Sequence, residues 1–178
     1  MLCPQIKGEG AKLLIALQKR VSIFDYETRF ITPVTPQERA EKCAELMMQH
    51  DAATQGLRMH LDAIGPGTAT LSMLVTAEML NGHGICHGGY IFTLADSAFA
   101  FACNSYNRTA VAQTNQITYV SPAQVNERLC AEAVEIARSG RSGTYDVMVT
   151  GADNRKIALF RGLSRTIKGQ HFPEPGDP

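Results

Sequence analysis

Asp96 is the only charged side chain between His87 and Arg108. It lies within Tyr90–Cys103, a stretch rich in Ala, Leu and Phe. A carboxylate in such surroundings is costly to keep ionised, so it has either a structural partner or a chemical task. The task open to it is that of a general base or a nucleophile. Just upstream, Asn81-Gly-His-Gly-Ile-Cys-His87-Gly88-Gly89 is a loop almost without bulk. If a helix begins at its end, the Gly88 and Gly89 N–H groups are unsatisfied donors reinforced by the helix dipole, able to hold an oxygen that gains negative charge. Without Cβ atoms the pair also lets a ligand approach the backbone. The structural alternatives are a buried Asp satisfied by a hydroxyl or backbone group, and glycines that only permit a tight turn. The residues alone leave both readings open.

Other chemistries fit the same loop less well. His83, Cys86 and His87 are metal-ligand types, but no second cluster supplies a fourth ligand, so no metal is expected. The spacing Gly82-x-Gly84-x-x-x-Gly88 misses the dinucleotide fingerprint by one residue, and no phosphate-loop lysine follows. Cys86 next to His87 lacks a third, orienting group, and there is no G-x-S-x-G elbow for a serine nucleophile.

The elements that must position Asp96 can be read in outline. The run around it is apolar on nearly every face, which predicts a helix wrapped by other structure. Before it, Thr35 as N-cap and Pro36 at the first position open a helix reaching about His50–Thr54. Leu57, Met59, Leu61 and Ala63 alternate with polar residues up to Gly65-Pro-Gly67, and Thr68–Val75 alternates again, predicting a hairpin. After the Asn104–Arg108 stop, strands are expected over Ala110–Val120, Leu129–Ala137, Thr144–Thr150 and Ile157–Ile167. The sum is an α+β domain in which an antiparallel sheet curls round one apolar helix. Lys12–Arg20 reads as a short amphipathic helix ahead of a boundary at Thr32–Pro36.

Composition bounds the function. The chain has 178 residues, 44% hydrophobic and 19% charged, the range of one globular domain. Lys plus Arg equals Asp plus Glu at 17 each, with no long run of one sign, so no nucleic-acid or anionic-membrane partner is expected. Five scattered cysteines suit reduced thiols, and neither a secretory signal nor a membrane span is evident, so a cytoplasmic location is expected.

Asn81-x5-His87-Gly88-Gly89-x6-Asp96, with Leu94-Ala95 before the acid and Ala98-Phe99-Ala100 after it, resembles the hotdog-fold thioesterases of the phenylacetyl-CoA (PaaI-like) type. The likeness continues through Ser121-Pro122, Tyr145-Asp146 and Ala158–Gly162, so residues 37–169 are expected to be the hotdog domain. Residues 1–36 are then an extension and 170–178 a tail. The resemblance implies an antiparallel sheet wrapped round a long helix, assembled as a dimer and usually a tetramer. It also implies hydrolysis of acyl-CoA, aromatic in the phenylacetate-degradation type, without a cofactor. Asp96 would be the catalytic carboxylate, as base or as nucleophile, and the Gly88 N–H the oxyanion donor. Asn81 would hold the water or the substrate carbonyl, and His87 would orient the loop, although alone it reads as a structural histidine. Gly89 and Phe92 are assigned to substrate binding; Phe92, Phe99 and Phe101 could equally fill the core.

At about 1.5 Å per residue, Asp96 is roughly 12 Å along the helix from Gly88, too far to meet at one carbonyl. Two antiparallel helices across a dyad would bring Asp96 of one copy to the Gly88 turn of the other, which makes a dimer necessary for chemistry. Arg138, Arg141, Arg155, Lys156 and Arg161 are candidates for the CoA phosphates. The alternatives are a domain that binds or senses acyl-CoA without cleaving it, and a hydratase or dehydratase on the same fold.

Overall fold

The computed structural model describes residues 34–174. The Lys12–Arg20 stretch and the end of the tail lie outside them. Helix α1 spans Pro36–His50 and opens as expected: Thr35 Oγ1 accepts from the Glu38 N–H while the Glu38 carboxylate accepts from the Thr35 N–H, a reciprocal capping box. A second short helix, α2 (Ala52–Gly56), follows, capped by Asp51. Leu57 closes it and Arg58 takes a left-handed φ of 51°. The first strand therefore begins at His60, not at Leu57, because alternation in the sequence does not reveal the intervening turn of helix.

Strands β1 (His60–Gly65) and β2 (Thr68–Leu74) form the expected antiparallel hairpin. Gly67 at its tip has φ 71°, and a Cβ there would lie 2.6 Å from the Tyr106 hydroxyl. Helix α3 runs Gly88–Asn104, followed by β3 (Ala110–Tyr119), β4 (Arg128–Ser139), β5 (Ser142–Thr150) and β6 (Lys156–Thr166). All pairings are antiparallel, in the order β1-β2-β4-β5-β6-β3.

Helix α3 packs against every strand. Leu94, Phe99 and Phe101 are fully buried among Leu71, Met73, Leu129 and Val147, each large side chain contributing about 1.5–3 kcal/mol by leaving water. The expectation that this helix has no open face is corrected by the structure. Gly89 is exposed, and Thr93, Asp96 and Ala100 are only half-buried. Their spacing puts them on one stripe of the helix, the side the sheet does not reach.

Among the described residues, strand β3 is an outer strand of the sheet, paired only with β6. The compact unit spans Val34–Glu174, because Asn107, itself left-handed, gathers the segment beyond β6. Its side chain accepts from the His171 and Phe172 N–H groups and donates to the Phe172 carbonyl, while Arg39 makes a two-point ion pair with Glu174. Among the described residues, no helix is long and apolar enough to cross a membrane.

Candidate active site

Asp96 sits midway along the open stripe of α3. Its Oδ1 accepts a 2.8 Å hydrogen bond from Asn115 Nδ2, and no donor among the described residues reaches Oδ2. Burial pushes the carboxyl above its usual range, and the Asn115 hydrogen bond opposes that shift in part. Asn115 reaches the helix because of a bulge. Ala110 and Ile117 both pack toward the core although they stand an odd number of positions apart, which strict alternation forbids. The register shift between Ala112 and Thr114 re-phases the strand, so that Asn115 and Ile117 share the helix-facing side. The Asn115 Oδ1 is buried and has no hydrogen-bond partner among the described residues.

The glycine turn begins α3. His87 is the N-cap, its Nδ1 accepting from the Gly89 N–H at 2.9 Å, which places the ring proton on Nε2. The Gly89 donor is thereby satisfied, whereas the Gly88 N–H has no acceptor among the described residues. Of the two glycine donors considered from the sequence, only that of Gly88 is free for a ligand. The loop itself is pinned by the His87 N–H to the Met79 carbonyl at 2.8 Å and the Cys86 N–H to the Ala123 carbonyl at 2.9 Å. Asn81 Oδ1 accepts from the His83 and Ile85 N–H groups at 2.9 and 3.4 Å and so shapes the loop.

Tyr119, at the end of β3, donates its hydroxyl to the Gly88 carbonyl at 2.8 Å. The ring lies so close that a Cβ on Gly88 would meet Tyr119 Cζ at 2.8 Å. A cavity of about 470 Å³ adjoins this contact, lined by Asn81, Cys86, Gly88, Ile91, Tyr119 and Ser121 among others. Asn81 and Gly88 thus share one pocket, with His87 and Gly89 beside it. Asp96 and Phe92 are not part of its wall; Phe92 packs edge-on against Phe160 with ring centroids 5.6 Å apart.

Several candidate groups have other roles. The Cys86 thiol is pushed up to about 11 by burial, which leaves it protonated and poorly nucleophilic at neutral pH. His83 is exposed. Among the described residues, no three His, Cys, Asp or Glu side chains converge as metal ligands. Of the candidate cations, Arg161 is held by both Asp146 oxygens at 2.6 and 2.7 Å, Arg138 stacks on Tyr106 and pairs with Glu135, and Arg141 donates to the Thr166 carbonyl. Arg155 bonds Glu127 and the Pro122 carbonyl, while Lys156 has no ion-pair partner among the described residues. Neither lines the Gly88 cavity, but each bonds a residue that does: Arg155 donates to the Pro122 carbonyl, and the Ser121 hydroxyl donates to the Lys156 carbonyl.

Asn115 and Tyr119 escaped the sequence reading. Asn115 stands in the polar run Gln113-Thr-Asn-Gln116, where nothing distinguishes it from residues facing solvent, and the bulge that turns it inward has no signature there.

Residues 83–158 match the family model described as the thioesterase superfamily. The acyl-coenzyme A thioesterase PaaI of Escherichia coli (strain K12) is 39% identical over 131 residues, covering 74% of this chain and 94% of that protein. The solved E. coli PaaI structure, from the phenylacetic acid degradation operon, superposes with a TM-score of 0.75 at 38% identity, covering 76% of this chain and 99% of that one. A mutant of the phenylacetic acid degradation protein PaaI from Thermus thermophilus superposes with a TM-score of 0.64 at 36% identity, covering 66% of this chain and 100% of that one. With this architecture and these relatives, the chain belongs to the thioesterase superfamily, an α+β hotdog enzyme that hydrolyses thioester bonds.

Proposed function

We propose that this protein hydrolyses an aromatic, phenylacetyl-type acyl-CoA to the free acid and CoA, using Asp96 of one copy and the Gly88 N–H of another. The observation that carries the proposal is the split between two half-sites. Asp96 lies on an open helix stripe with one oxygen uncommitted, and the uncommitted Gly88 donor lies eight residues earlier on the same helix, roughly 12 Å away. One carbonyl cannot touch both within a protomer. Antiparallel apposition of two α3 stripes brings each Asp96 to the other copy's glycine turn, giving two equivalent sites in a dimer. The outer edge of β3, open beside Asn115, allows the sheets to extend across the same dyad, and two such dimers make the expected tetramer.

In this arrangement the thioester oxygen points at the Gly88 N–H, where the helix dipole adds to the hydrogen bond. If Asp96 is the base, Oδ2 takes a proton as water oxygen adds to the carbonyl carbon. Collapse of the oxyanion breaks the C–S bond, and the CoA sulfur leaves and is protonated. If Asp96 is the nucleophile, its oxygen forms an anhydride as the thiolate leaves, and water then cleaves it. In both routes the raised pKa makes the carboxylate more basic than an exposed Asp. His87 and Asn81 hold the glycine turn, and no cofactor enters either route. The cavity beside Gly88 suits the acyl or pantetheine portion, and Arg155 and Lys156, bonded to its lining residues Pro122 and Ser121, suit the CoA phosphates. The preference for an aromatic acyl group rests on the similarity to PaaI proteins.

The test is CoA release measured across aliphatic, aromatic, enoyl and hydroxyacyl thioesters, with Asp96→Asn alongside. Phenylacetyl-type substrates should turn over fastest, and the variant should lose at least about 100-fold in kcat with assembly intact. Tight binding without release would make this a sensor, and turnover without release a hydratase. Full activity in Asp96→Asn would remove the carboxylate from the chemistry.

A further inference from the structure

We infer that Asn115, delivered from the outer strand by the β3 bulge, is a positioning residue that clamps the Asp96 carboxylate and leaves Oδ2 as the reacting oxygen. The inference rests on the proposal that Asp96 performs the chemistry. An ionised carboxylate is acceptor-only, so the amide must present its nitrogen, as the 2.8 Å Nδ2–Oδ1 contact shows. A carboxylate held at one oxygen loses its freedom to rotate, and the other oxygen acquires a fixed direction.

Three observations separate this from ordinary packing. The amide's other end is buried without a partner among the described residues, so the residue sits where an apolar side chain would be better tolerated. Its placement requires the interruption of strand alternation between Ala112 and Thr114, whereas an unbulged strand would send this side chain to the opposite face. Its cross-strand partner is Gly162, which adds no side chain and against which the Phe99 ring packs closely. The strand is thus shaped to bring one amide to one carboxylate.

The clamp also affects ionisation. Burial and the Asn115 hydrogen bond are the two influences on Asp96, and they act in opposite directions. Among the described residues, no cation or second carboxylate contributes. Among the described residues, the titratable neighbour that senses Asp96 is Cys103, whose thiol is pushed up to about 12 chiefly by burial and stays neutral through the working range. Loss of the amide donor therefore raises the carboxyl further and moves the acidic limb of the kcat–pH profile to higher pH.

Two variants test this. Asn115→Leu keeps approximate size while removing both polar ends, and Asn115→Ala removes the amide without adding a charge. Each should lower kcat about 10-fold or more at pH 7 with KM changed less than about 3-fold, the loss shrinking as pH rises in Asn115→Leu. Asn115→Leu should melt within a few degrees of wild type; should it misfold, Asn115→Ala is read for the same limb. A wild-type kcat and acidic limb, with Asp96→Asn inactive, would overturn the role of Asn115 alone. An active Asp96→Asn would instead overturn the underlying assignment of the carboxylate.

Discussion

Adding a single methyl group at Gly88 tests the oxyanion assignment most directly. In Gly88→Ala the N–H stays in place, but the new Cβ would lie 2.8 Å from Tyr119 Cζ and 2.9 Å from its hydroxyl. Carbon atoms are at rest about 3.5–4.0 Å apart, so the ring or the turn must shift by about 0.7 Å or more. That shift stretches or breaks the 2.8 Å hydrogen bond from Tyr119 to the Gly88 carbonyl, which costs about 0.5–1.5 kcal/mol. Replacing Gly by Ala in a helix returns up to about 1 kcal/mol, so stability should change little. Catalysis should not be spared. Displacing an oxyanion donor by a fraction of an ångström, or losing it, lowers kcat by about 100-fold or more. Steady-state kinetics should therefore show a fall in kcat with KM within a few-fold, while the melting temperature moves by no more than a few degrees. Tyr119→Phe is the control, removing the hydroxyl without adding a Cβ, and should cost less than about 5-fold. A Gly88→Ala enzyme within about 3-fold of wild-type kcat would refute the assignment of this amide.

The other predictions concern charge. Lys156→Ala should raise KM for acyl-CoA several-fold with kcat unchanged, and the difference should shrink in high salt, as expected of an exposed phosphate contact. Burial holds the folded-state pKa of His171 below its ordinary 6.5, so its contribution to stability is present above that value and lost as pH falls through the folded one. Thermal melts should then show wild type losing ground to His171→Gln on acidification, with the Asn107-bound segment first to exchange its amides. Asp96 has the opposite sign: its folded pKa is raised, so stability is full below the ordinary 3.8 and declines as pH rises through the folded value. Asp96→Asn should therefore melt above wild type at neutral pH, by a margin that vanishes in acid.

The legible parts of this protein were those written in local chemistry. Thr35-Pro36-x-Glu38 states a capped helix start in four residues, and the alternation in Thr68–Leu74 and Thr144–Thr150 states half-buried strands, which the structure reproduces within a residue or two. The motif around Asp96 brought the fold and the candidate carboxylate with it. What stayed hidden depends on which face of an element finds a partner. The α3 sequence is apolar nearly all round, yet one stripe carrying Asp96 is left half open, a fact set by the reach of the sheet and not by the helix. The bulge in β3 inverts the parity of every residue after it, so the inward direction of Asn115 and Tyr119 cannot be read by counting from Ala110. The His87–Gly89 cap likewise needs coordinates, since two adjacent glycine donors look equivalent until one of them is satisfied.

The same features locate where this domain is least stable on its own. Among the described residues, a half-buried carboxylate, an amide oxygen with no donor and an unpaired strand edge occur side by side, on the flank of an otherwise well-satisfied core. Each is unfavourable in an isolated protomer, and a domain held together by packing alone would gain from apolar residues at Asp96 and Asn115. Apposition of a second copy would cover the helix stripe and complete the strand edge without removing the carboxylate, and it would set the Gly88 donor against Asp96 at the same time. Assembly and catalysis would then draw on one surface, so substitutions that weaken the dimer along β3 should lower activity in step with the fraction dissociated, even when every side chain of the half-sites is intact.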